Sequence, residues 1–373
     1  MVPNLSLALW MFQNAKLENG EYVYTMSDGS KVYFTVDPAI QRAANTLIST
    51  YPKDYEGLML IDLRSGKILA ISGFFKGEKS LYPFKINIYP AASIFKIVTL
   101  LSFLSYNDVQ PYDTFSFCPP IYYKHPRRWL KCDREYPSTL YYGFGISNNA
   151  LFGRLAVSLG FDVINEFAEK LYFNDTVDGI PFGRIKTPKN DYDLALLGSG
   201  FDGATLNPIQ AARIIQIAST GYDIEPYIID RIISKDGTLL YKSSPKILGR
   251  VLGDDVVGKF RKISISTVLE GTASRYFMDS NGNLIVGVKV GGKTGTLTSR
   301  ELGGLTEWFV GFAPVENPEV GVVAFSVGQP SPIKPHYLAM RLLQAYFLGK
   351  FENVPIAYKS FIRSLNINPG GGE

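Results

Sequence analysis

The chain has 373 residues, 46% hydrophobic and 19% charged, with Lys+Arg 38 against Asp+Glu 34, an ordinary globular composition long enough to bury a substantial core. A net charge of +4, with one short interrupted basic stretch at Lys124–Arg128 that reads as a solvated loop, speaks against a nucleic-acid partner. No apolar run reaches the roughly 18–20 residues that cross a bilayer, so no membrane anchor is visible, and Leu5 to Phe12 is short and lacks the basic flank of a signal peptide.

Residues 1–30 read as an N-terminal extension or the remnant of a linker. Tyr22–Met26 and Lys31–Val36 flank Ser27-Asp28-Gly29-Ser30, a hairpin signal. Asp37-Pro38 predicts an N-cap and first helical residue, opening a helix to about Thr50. Gly57–Leu63 and Lys67–Ser72 around Arg64-Ser65-Gly66 form a second hairpin. Helices are expected from Ser93 to about Leu104, from Leu140 to Leu159 in two pieces, from Asp162 to Tyr172, and from Asn207-Pro208 to about Thr220. Tyr227–Lys235 and Thr238–Lys242 flank Asp236-Gly237 as a third hairpin. A helix over Lys259–Thr272 precedes three strands, Val286–Val290 continuing to Thr298, Glu307–Ala313 and Val320–Val327. A helix from His336 to Leu348 ends the pattern, and 351–373 reads as a tail. Strands at both chain ends with a mostly helical middle argue for α+β, an antiparallel sheet flanked by helices with an inserted helical lobe.

Only two histidines occur, His125 and His336, both read as surface or capping residues, so a Ser-His-Asp triad and a His-rich metal site are excluded. No phosphate-binding loop is present, and Gly198–Gly200 reads as a turn. Cys118 and Cys132 lie in one loop and either close it or stand as free thiols. They lack the further ligands of a zinc site, and neither metal nor cofactor is expected.

A His-free route to a serine nucleophile remains. In Ala92-Ser93-Ile94-Phe95-Lys96, positions three apart share a helical face, and a lysine serves as base when desolvation lowers its pKa. Ser-x-x-Lys alone is a weak pattern. Gly145-Ile146-Ser147-Asn148-Asn149, between two helices, adds a hydroxyl and an amide aimed at a cleft. Gly291-Gly292-Lys293-Thr294-Gly295-Thr296 continues a strand on which Lys293 and Gly295 face one way and Thr294 and Thr296 the other.

These three elements in this order resemble the penicillin-binding protein and serine β-lactamase superfamily. The likeness extends over roughly residues 32–350, through Phe34-Thr35-Val36-Asp37, Thr205-Leu206-Asn207-Pro208-Ile209-Gln210, Leu269-Glu270-Gly271-Thr272-Ala273 and Trp308-Phe309-Val310-Gly311. Two departures stand out: Phe201-Asp202-Gly203 follows Gly198-Ser199-Gly200 where the family favours a Gly-Gln-Gly turn, and Glu307 replaces the usual Asp before Trp308. The resemblance implies a five-stranded antiparallel sheet, with a sheet lobe at about 31–92 and 225–350 and a helical lobe at about 93–224, together a transpeptidase domain over 31–350.

It also implies roles. Ser93 would be the nucleophile, Lys96 its base, Ser147 a proton relay helped by Lys293, and Asn149 the holder of Lys96 and the substrate amide. Thr294, Gly295 and Thr296 would bind substrate, with the Ser93 and Thr296 amides as oxyanion hole. The implied activity is a serine D,D-transpeptidase crosslinking peptidoglycan stem peptides and trapped by β-lactam antibiotics, with a separate glycosyltransferase as a further partner. The implied address is extracytoplasmic, the periplasm or outer face of the membrane, where Cys118 and Cys132 would pair. A D,D-carboxypeptidase, a β-lactamase and a penicillin-sensing or scaffold domain are the alternatives. The absence of a Glu-x-x-Leu-Asn element between Ser147 and Lys293 disfavours a class A β-lactamase.

Overall fold

The computed structural model describes residues 2–299 and 301–349; the expected tail 351–373 lies outside them. Its centre is an antiparallel sheet in the order Gly291–Ser299, Gly304–Ala313, Val320–Gly328, Tyr55–Asp62, Ile68–Phe75 and the two-residue Glu78–Lys79. The α+β expectation holds: five long strands make the sheet, and the sixth is an edge extension. The strand nearest the C-terminus pairs with the second predicted hairpin, Val320 opposite Asp62 and Val327 opposite Tyr55, which closes the sheet around the helical middle.

Period-2 alternation divides the strands between two cores. Leu58, Leu60, Val322 and Ala324 pack beneath the helices Pro38–Thr50 and Pro335–Leu348. Met59, Ile61, Val323 and Phe325 face the opposite core with the helices Phe95–Tyr106 and Pro208–Thr220. Both faces are covered, so these strands read as near-continuous apolar runs rather than half-solvated ones. Asp37 accepts from the amides of Ala39 and Ile40 and starts Pro38–Thr50 as the sequence predicts.

Three differences from the sequence reading have physical causes. Leu5–Gln13 is a helix with Leu5, Ala8, Leu9, Met11 and Phe12 buried, and Glu21–Thr25 joins Lys31–Phe34 and Ile229–Ile233 in a second sheet. The segment from Leu5 to residue 30 is thus built into the fold by apolar burial. The strand expected from Val286 starts at Gly291, because Gly287 at φ 82° breaks the extended run. Pro208–Thr220, placed by sequence in the helical lobe, packs on the sheet: a Cβ on Gly321 would lie 3.4 Å from the Ile215 side chain. In the helical region proper, Asn149–Leu159, Phe161–Lys170 and Asp191–Ser199 stand against Phe95–Tyr106, and Leu140–Gly145 packs on Asp254–Ser264. A hairpin of Thr114–Phe117 and Tyr136–Thr139 carries a loop closed by the Cys118–Cys132 disulfide.

Candidate active site

The site lies where the sheet edge meets the helical region. Tyr89–Pro90 pairs with Thr205–Leu206, and Trp308 Nε1 donates to Pro90 O at 2.9 Å, so the sheet anchors the segment entering Ser93. Ala92 adopts φ 48°, costly for a residue with a Cβ and a form of strain that clusters at functional sites. Gly200 sits against it: a Cβ on Gly200 would lie 1.9 Å from Ala92 O. The turn Ala92–Ile94 then runs into Phe95–Tyr106, which carries Lys96 beside Ser93.

Lys96 is fully buried. Its Nζ lies 2.7 Å from Ser93 Oγ and donates to Asn149 Oδ1 at 2.6 Å and to Ser199 O at 2.6 Å. Burial, and secondarily the charge of Lys293, push its pKa well below the usual lysine range. Lys293, also fully buried, is lowered to about 7 by burial. Its Nζ lies 5.4 Å from the centre of the Phe144 ring and donates to Thr294 O at 3.1 Å. A neutral amine has two N–H donors and one lone pair. Two carbonyl oxygens, of Asn149 and Ser199, occupy both donors, which leaves the lone pair of Lys96 facing the Ser93 hydroxyl.

Ser147 follows Leu140–Gly145 at φ 61°, and Asn148 then caps Asn149–Leu159 by accepting from Leu151 N at 3.0 Å. This tight exit points Ser147 into the cleft, and its hydroxyl has no hydrogen-bond partner among the described residues. Opposite, Thr272 N donates to Gly145 O at 3.1 Å, and Thr272 Oγ1 lies 2.5 Å from Thr294 Oγ1. The close approach requires glycine: a Cβ on Gly271 would lie 2.2 Å from Gly145 O. On the edge strand, Gly295 lies over the Ser93 turn, its ideal Cβ position 3.4 Å from Ser93 N. Lys293 and Gly295 therefore face the helical side and Thr294 the other, the alternation expected from the sequence.

An open cleft of ≈ 370 Å³ gathers Ser93, Ser147, Asn149, Thr294 and Thr296. It also takes in Tyr122, Ser199, Gly200, Phe201, Thr272 and His336, whose part in the site the sequence reading missed. Gly198–Gly200, read as a turn, supplies the carbonyl that holds Lys96. His336, read as a surface or capping residue, is half-buried against Tyr276. Its Nδ1 is buried without a partner, and burial with the nearby Lys334 lowers its pKa to about 3. No carboxylate is among the described residues lining the cleft. Glu307, paired across the strands with Thr296, is buried on an ion pair to Lys334 at 2.6 Å.

An antiparallel sheet covered by helices on both faces, whose edge strand presents Lys-Thr-Gly to Ser93 and the buried Lys96, defines the class of serine acyl-transfer folds. The family model described as penicillin binding protein transpeptidase domain matches residues 57–333, and the chain belongs to that family. It is 23% identical over 248 residues to the peptidoglycan D,D-transpeptidase PbpA of Mycolicibacterium smegmatis, covering 63% of this chain and 49% of that one. It is 26% identical over 277 residues to penicillin-binding protein 1A of Aquifex aeolicus, covering 70% and 33%. The chain thus spans half or less of the length of these curated relatives. Among solved structures it superposes on the D,D-transpeptidase domain of an Eggerthella lenta peptidoglycan glycosyltransferase with a TM-score of 0.71 and 20% identity, covering 93% of this chain and 91% of that one. An imipenem acyl-enzyme complex of penicillin-binding protein A from Mycobacterium tuberculosis gives 0.70 and 17%, covering 85% and 80%.

Proposed function

We propose that this protein is an extracytoplasmic serine D,D-transpeptidase that crosslinks peptidoglycan stem peptides and is acylated by β-lactams at Ser93. The observation that carries the reading is the hydrogen-bond set of Lys96, which leaves a lone pair for the Ser93 proton. In the first step Ser93 Oγ attacks the carbonyl of the D-Ala-D-Ala bond while its proton passes to Lys96. Ser147, assisted by the charge of Lys293, delivers a proton to the departing amine as the C–N bond breaks and recovers one from Lys96. Asn149 steadies Lys96 and the substrate amide, and Thr294 and Thr296 with Gly295 between them hold the terminal carboxylate. The amides of Ser93 and Thr296 receive the developing oxyanion. In the second step an acceptor amine attacks the ester, a new amide forms, the C–O bond breaks and the proton that the amine gives up passes through Lys96 to Ser93 Oγ.

The cleft lining supports a transpeptidase over a β-lactamase. Hydrolysis of the acyl-enzyme needs a base that aims a water at the ester, and no carboxylate is among the described lining residues. Asn149 Oδ1 holds Lys96 as a plain amine, and His336, lowered to about 3, is too weak a base. The test is intact mass after exposure to benzylpenicillin. A single adduct on the parent that persists for minutes to hours, and none on Ser93→Ala, is expected. An adduct on Ser93→Ala removes the nucleophile assignment, and steady hydrolysis near the median enzyme's roughly 10 s⁻¹ converts the reading to β-lactamase.

A further inference from the structure

The disulfide-closed loop Cys118–Cys132 carries Lys124, Arg127, Arg128 and Lys131 and no Asp or Glu. Its four cations equal the net charge of the entire chain, +4. Sequence alone makes this a solvated loop. Its position says otherwise, because it is fastened to the active site at three places. Asn149, whose side chain holds Lys96, donates its backbone N–H to Ile121 O at 3.1 Å. Trp129 is fully buried, stacks 6.1 Å from the cleft residue Phe201 and donates through Nε1 to Pro120 O at 2.7 Å. Lys124 pairs at 3.1 Å with Asp202, three residues beyond Ser199. Tyr122 lines the cleft itself.

The remaining charge is turned outward. Arg127, Arg128 and Lys131 are exposed, and among the described residues none has a carboxylate partner; Asp133 just beyond the loop makes no ion pair with them, and Glu135 is taken by Arg154 at 2.7 Å. Arg127 lies over the ring of Tyr192 at 5.6 Å. Tyr192 and Ser199 occupy one helix, Asp191–Ser199, so the cation stands about 10 Å along it from the Lys96 cage. Three extended residues cover about 10 Å. A peptide whose amine reaches the Ser93 ester and runs along that helix brings groups two or three residues away within reach of Arg127, with Arg128 next to it in the chain. Cations held by a braced loop without internal partners are complementary to carboxylates on that peptide.

We propose that this loop is the recognition wall for the acceptor strand, binding free carboxylates of the incoming stem peptide and so selecting anionic acceptors over amidated ones. The proposal rests on the transpeptidase reading, and its test separates the two. The parent protein is given a thioester donor and either a short peptide amine bearing two free carboxylates or the same peptide with both amidated. The amide product is compared with hydrolysis, and fluorescent penicillin labelling of Ser93 is recorded alongside. The parent should prefer the anionic acceptor. Arg127→Gln/Arg128→Gln should lower that preference about tenfold, the summed weight of two exposed charge contacts, and Arg127→Lys/Arg128→Lys should restore most of it. Preference is a ratio within one protein, so partial damage to folding does not imitate the effect. A parent without preference, or a Gln variant that keeps it, overturns the proposal. Labelled Ser93 with no aminolysis of either acceptor refutes the transpeptidase reading and the acceptor wall with it.

Discussion

At the scale of single residues, the proposed mechanism has two buried lysines divide the work by protonation state. Lys96 accepts the Ser93 proton only when neutral, so acylation rises with pH through its lowered pKa. Lys293 offers its charge only when protonated, so the benefit falls as pH rises through about 7, a limb that a bound carboxylate shifts upward. Acylation by benzylpenicillin should therefore be bell-shaped in pH. Lys293→Ala should flatten the alkaline limb and slow the rate, and Lys96→Ala should slow it at least about 10²-fold at the parent's pH optimum and remove the acid limb. Stopped-flow acylation rates measure this; a Lys96→Ala protein as fast as the parent eliminates the base. Ser93, Lys96, Ser147, Asn149 and Lys293–Thr296 were legible in the sequence because each motif is local and its side chains carry the chemistry. The Ser199 carbonyl was not, because any residue supplies one and only the fold aims it.

Elements show the same division. Pro38–Thr50 was legible because cap, proline and apolar period agree. Leu5–Gln13 was not, since its polar N-cap is followed by a nearly all-apolar run without a clear face, and its caps bond across the chain: Leu5 N donates to Asp178 Oδ2 at 2.6 Å. The turn Leu197–Phe201 joins the ambiguous class, because its glycines mark close approach rather than a loop. Gly200 at φ 74° tolerates no side chain in either conformation or space. Gly200→Ala should displace Ala92 O, cost more than about 1 kcal/mol of stability and cut acylation along with it. Melting temperature and labelling rate read both effects. An alanine variant with parental values in both shows that the contact does not hold the Ser93 turn.

Across the whole molecule, stability and chemistry are separable. The N-terminal helix lies in the core shared by the sheet and the helical region, with Leu9 fully buried, and none of its residues lines the cleft. Leu9→Ala should cost about 2–5 kcal/mol, the range for opening a cavity at such a site. At temperatures where the variant remains folded, its acylation rate should match the parent. Chemical denaturation with parallel labelling separates the two quantities, and an unchanged midpoint means that the helix does not share the core.

Two of the three partners of Lys96 come from distant parts of the chain: Ser93 is a neighbour, but Asn149 is 53 residues away and Ser199 103. No fragment and no half-formed intermediate holds that set, so the nucleophile is switched on only by the completed tertiary structure. Penicillin then works as a census-taker, tagging native molecules and passing over every other species. In a urea series, the fraction tagged by a brief pulse should fall along the same curve as tryptophan fluorescence. Tagging that outlasts the fluorescence transition would show that the cage survives without the rest of the fold.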